Sequence, residues 1–155
     1  MMKPHNTFRT LIVLTTVALT GLVVHAKAAE KAGVAIVQEW KGANSAQNAR
    51  QRVVVKDQKA WEKTWSGMKG SIQPKPEAPK IDFNKNMVIA VFMGRKNTGG
   101  YSVKIVSIVE KEKLIVTVKE NSPPADAMVT MALTAPYHVV VVPKTAKAVE
   151  FVDGK

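Results

Sequence analysis

The stretch MVIAVFM, Met87 to Met93, is apolar at every position. A strand with one wet face alternates, so an unbroken run of this kind predicts a strand covered on both faces. Seven further short runs read as strands: Val34–Trp40, Arg52–Lys56, Tyr101–Val109, Leu114–Glu120, Met128–Leu133, Tyr137–Val142 and Ala148–Val152. In the run from Tyr101, the side chains of Tyr101, Val103 and Ile105 share one face, whereas Val106 and Ile108 fall on the other. A bulge near Ile105 restores the apolar side to the interior. Glu110–Lys113 is the hairpin turn that follows.

One segment has helical periodicity. Asp57 offers an N-cap, Trp61 and Trp65 lie four apart, Met68 continues their stripe, and Gly67 or Gly70 ends it. Two tryptophans at this spacing describe a packing face. Ser71–Lys80 and Asn121–Ala127 are proline-rich and read as surface connections. A doubly wound parallel sheet needs alternating helices, and this chain has none to alternate. The expected fold is mainly β (a β-rich α+β domain): an antiparallel sandwich or partly closed barrel of about eight strands, with one helix packed on it.

The first residues read differently. Lys3 and Arg9 precede the uncharged apolar stretch Thr10–Val24, and Ala26-Lys27-Ala28 follows. This is the pattern of a secretory signal peptide over residues 1–28, cleaved before Ala29 or, as a close second, after Ala26. A single β domain over residues 29–155 would remain, periplasmic or secreted, with no stable membrane anchor. Residues 1–28 hold three cations and no acid, so their removal lowers the formal charge from +11 to +8. The lysines are dispersed through turns and strand edges, which points to a solvated surface and to no nucleic-acid partner. The chain has no cysteine, which excludes lipoprotein acylation, disulfides and thiolate chemistry.

The segment GRKNTGGY, Gly94 to Tyr101, imitates a phosphate-binding loop but breaks its rule. Gly100 and Tyr101 stand where the motif needs Lys and Ser or Thr, and a strand follows in place of a helix. The loop is expected to join two hairpin neighbours, with Asn97-Thr98-Gly99-Gly100 tolerating positive φ. As a tight turn on a rigid strand pair, Arg95, Lys96, Asn97, Thr98, Gly99, Gly100 and Tyr101 form the candidate partner-binding surface.

The run FNKNMVIAVFMGRKNTGGYSVKIVSIVE resembles the PrcB C-terminal domain family. WEKTW upstream, SPPADAMV, and PYHVVVVPK followed by VEFV extend the resemblance over about residues 34–152, in the family's order. The resemblance implies an exported bacterial protein, and one that associates with an extracytoplasmic protease and supports its stability. It supplies no catalytic residues.

Catalysis has little to work with. After residue 28 the chain has one histidine, His138, at the start of an apolar strand, where a hydrogen-bonded structural imidazole is expected. A triad would need His138 with Ser102 or Ser107, and neither serine sits in a Gly-x-Ser-x-Gly elbow. The reading is therefore a non-catalytic protein-binding module with no cofactor and no metal, whose partner is an exported protein and, by the resemblance, a protease. The alternative is a protease inhibitor, since NTGGYSV faintly resembles a loop of chagasin-like inhibitors.

Overall fold

A computed structural model of the chain describes residues 33–70 and 72–155. The signal peptide expected over residues 1–28 lies outside the described residues.

Among the described residues, seven strands and one helix form three layers. The strands are β1 (Gln38–Gly42), β2 (Arg50–Val55), β3 (Asn86–Met93), β4 (Ser102–Glu110), β5 (Leu114–Asn121), β6 (Tyr137–Pro143) and β7 (Val149–Asp153); helix α1 (Gln58–Lys69) follows β2. One sheet has the order β1-β6-β3-β2 and the other β4-β5-β7. All pairs are antiparallel except β5 with β7. The fold is a β-rich α+β sandwich, and the barrel alternative does not apply.

The two central strands explain the apolar runs. Met87, Ile89, Val91 and Met93 of β3 and Val140 and Val142 of β6 face the three-stranded sheet, where they meet Val103, Ile105, Ile108, Leu114, Val116 and Val118. Val88, Ala90 and Phe92 of β3, with Val139 and Val141 of β6, face the other way, toward α1. Both faces of these strands are thus covered, which removes the need for a polar alternate position.

The helix is held by its tryptophans. Asp57 caps it, its carboxylate accepting from the Ala60 N–H at 2.8 Å. Trp61, Trp65 and Met68 are buried against the sheet, and Trp40 of β1 completes an aromatic trio with centroids 5.3–5.6 Å apart. A buried indole N–H needs a partner, and the proline-rich connection supplies both. Trp61 Nε1 donates to the Pro79 carbonyl at 2.9 Å and Trp65 Nε1 to the Pro76 carbonyl at 3.0 Å. That connection is a strap over the aromatic cluster, a role beyond the expected surface link.

The expected bulge is present: the β4–β5 register shifts between Ile105 and Ser107, leaving Val106 outward. Two expectations fail. Met128–Leu133 is not a strand; it is an exposed connection between β5 and β6. Pro123 and Pro124 before it and Pro136 after it cannot donate to a ladder, so a strand here could not extend far beyond the segment on either side. Nor are β3 and β4 hairpin neighbours, because they belong to different sheets. The Gly94–Tyr101 loop therefore crosses from one layer of the sandwich to the other.

Candidate functional site

The crossing places three connections at one end of the sandwich. The β1–β2 link (43–49), the β3–β4 loop (94–101) and the β5–β6 link (122–136) meet where β3 ends and β6 begins. Backbone hydrogen bonds stitch them together. The Arg95 N–H donates to the Asn48 carbonyl at 3.0 Å, and Met93 N–H to that of Pro136 at 2.9 Å. Lys96 and Thr134 exchange both backbone bonds, at 2.7 and 3.0 Å. The Gly99 N–H donates to the Thr130 carbonyl at 2.8 Å, and the Thr134 hydroxyl donates to the Thr98 carbonyl at 2.8 Å. The loop is thus clamped along its length and does not project alone.

The glycines serve that clamping. Gly94 has φ +73°, and a Cβ there would lie 2.8 Å from the Arg50 backbone nitrogen. Gly100 has φ +85°, and a Cβ there would lie 2.8 Å from the Pro123 ring and 3.2 Å from Val129. Only glycine satisfies both the left-handed backbone and the close approach. Gly99 has no positive φ; its part is the hydrogen bond to Thr130.

The candidate residues divide by exposure. Arg95 is exposed and lines an open depression with Asn48, Leu133 and Thr134. Asn97 and Gly100 are exposed as well, whereas Lys96, Thr98 and Gly99 are half-buried. Lys96 holds its ammonium 5.3 Å from the centroid of the Tyr101 ring. Tyr101 is half-buried and packs against the core between the sheets. Among the described residues, no carboxylate lies within ion-pair distance of Arg95 or Lys96.

Sequence reasoning missed the neighbouring segment. Met128 and Met131 expose 103% and 85% of their reference area, and Leu133 exposes 55%. The Ala132 N–H bonds to the Thr130 carbonyl at 2.9 Å, a three-residue turn that sets Met131 at its apex. The missed signal was compositional: alanine is a poor strand former beside the valine-rich runs, and prolines flank the segment.

His138 is built for structure. It is 1% exposed and lies on the face of β6 that looks at the second sheet. Its Nδ1 accepts the Ile105 N–H at 2.8 Å, at the bulge, so the ring proton resides on Nε2 and is donated to Glu39 at 2.8 Å. Burial holds the imidazole pKa below its ordinary value, and the Glu39 carboxylate offsets this only in part. The hydrogen bond from His138, then that from Lys41, lowers the Glu39 pKa. Both ring nitrogens are therefore committed. Ser107 donates to the Thr117 hydroxyl, and Ser102 accepts from Asn121, so neither serine is bonded to the imidazole. Among the described residues no group of three His, Asp or Glu side chains is placed to hold a metal, and no helix is long and apolar enough to cross a membrane.

No curated protein and no solved structure matches the chain. The family model described as PrcB C-terminal matches residues 87–143. That stretch starts in β3 and ends with β6, and it contains both the 94–101 loop and the Met128–Leu133 segment. The chain is thus similar to the PrcB C-terminal family over the residues that build both central strands and two of the three clustered connections.

Proposed function

We propose that the protein is an exported, non-catalytic binding module that docks an exported partner protein with the clustered connections at the end of its sandwich. The carrying observation is the combination of a clamped backbone over residues 94–101 with Arg95 and Lys96 lacking a carboxylate partner among the described residues. A preorganised loop loses little conformational entropy on association, so its side chains can be spent on recognition. The occupied nitrogens of His138 support a role without chemistry. The resemblance to the PrcB C-terminal family implies an extracytoplasmic protease as the partner, which the module stabilises or anchors. The inhibitor reading uses the same surface.

Affinity capture from the exported fraction of the source cell tests this, with the natural sequence beside Arg95→Ala/Lys96→Ala. The double variant should capture less partner while its stability falls by no more than about 1 kcal/mol, since Arg95 is exposed and Lys96 gives up only its contact with the Tyr101 ring. Equal capture by the folded variant would remove the two cations from the docking surface. Turnover of a captured protease then separates the two readings: a stabiliser leaves the rate unchanged and prolongs activity, whereas an inhibitor depresses the rate.

A further inference from the structure

We infer that the docking surface takes a partner segment in which carboxylates stand beside large apolar side chains, with Met128, Met131 and Leu133 forming the apolar half of the site. This rests on the docking reading above and adds the chemistry of the partner. Three large apolar side chains lie exposed in six residues, on a backbone pinned by Thr130 to Gly99 and by Thr134 to Lys96. Isolated exposed apolar residues need no explanation, but three within six residues, on a segment anchored by backbone hydrogen bonds, point to an interaction surface. Methionine suits that use, because its flexible, polarisable thioether adapts to the surface it meets.

Charge selects among the occupants. Residues 29–155 carry a formal +8, and Arg95 and Lys96 stand on the strand-linking loop clamped to the methionine segment. Of the acids near this end, Glu120 is held by Arg50 at 2.8 Å and Glu39 by His138, which leaves Asp126 as the nearby carboxylate with no ion pair among the described residues. A second copy docking through the same patch would set cation against cation, which disfavours self-association. An anionic membrane calls for some four to eight clustered basic residues, and this surface offers two. A protein segment with carboxylates meets the cations at the rim and covers the thioethers at the centre, the arrangement typical of protein interfaces.

The test is amide chemical-shift mapping on the full chain, titrated with a decapeptide of alternating Glu and Leu. Two companion peptides replace Glu by Lys or Leu by Ser, and vesicles of phosphatidylcholine and phosphatidylserine form a fourth arm. The acidic apolar peptide should shift amides in 94–101 and 128–135. Each companion should bind about tenfold more weakly, as should Met128→Ser/Met131→Ser toward the acidic apolar peptide, a difference of about 1.4 kcal/mol. Absence of shifts at millimolar peptide, equal binding of the lysine companion, or vesicle binding that the methionine substitutions abolish would each overturn the inference. If these fail while Arg95→Ala/Lys96→Ala still loses its captured partner, the docking reading stands and only the partner chemistry falls.

Discussion

Two groups of large apolar side chains meet opposite fates in this molecule. Trp40, Trp61, Trp65 and Met68 are gathered between the helix and the four-stranded sheet, and a proline-rich strap accepts the indole hydrogens of two of them. Met128, Met131 and Leu133 stand exposed at the end of the sandwich, on a segment anchored through the backbones of Thr130 and Thr134. Both places are ordered; only one is covered. The difference teaches that order at the clustered connections does not come from burying the exposed side chains. It comes from backbone hydrogen bonds and from glycines that let the chains approach. Stability and docking are then separable, and substitutions in the two groups should divide accordingly.

The largest effect is expected in the covered group. Trp61→Ala empties a site that is completely buried and removes a donor from the Pro79 carbonyl. A loss of about 3–5 kcal/mol is expected in denaturant unfolding, with partner capture preserved wherever the fold persists. An unchanged unfolding midpoint would mean that the helix is not docked through this ring.

Next in size is Gly100→Ala. It forces a Cβ onto a backbone at φ +85° and into the Pro123 ring, at a cost of about 1–3 kcal/mol. Because it separates the 94–101 loop from the β5–β6 link, it should weaken capture together with stability. A variant that keeps its full stability would show that the connections are not clamped at Gly100.

A smaller effect concerns acid. The His138 pKa is lowered in the folded protein from an ordinary value of 6.5. The unfolded chain therefore takes up a proton that the folded chain resists, so stability present above pH 6.5 is lost as the pH falls toward the folded pKa. One proton limits the slope to about 1.4 kcal/mol per pH unit. His138→Asn should flatten the slope just below pH 6.5, and an unchanged slope would place the titrating group elsewhere.

Much of this architecture was legible in the residues. The unbroken run Met87–Met93 announced a strand covered twice, the parity shift at Val106 announced the bulge, and the Trp61–Trp65 spacing announced a packed helix. The physical signal there is periodicity, which is local. Sheet membership is not local: nothing within GRKNTGGY says whether the next strand pairs with the last one or crosses to another layer, and so the loop resembled a hairpin. The same limit hid the strap, since the carbonyls of Pro76 and Pro79 find their indole donors only in three dimensions. Met128–Leu133 looks like a strand by apolar content alone, whereas its flanking prolines, its alanine and the lack of a valine-rich run fit a connection. The candidate residues 94–101 were found from their glycines, but their neighbours in the site could not be.

The central claim is that the exposed methionines contribute to docking and not to the fold. It is tested most directly by Met128→Ser/Met131→Ser, with chemical denaturation and partner capture measured on the same preparation. Both side chains are largely in solvent, so stability should stay within about 0.5 kcal/mol of the natural sequence while capture falls at least tenfold, about 1.4 kcal/mol. A destabilised variant, or a stable one that captures its partner as well as before, would contradict the account.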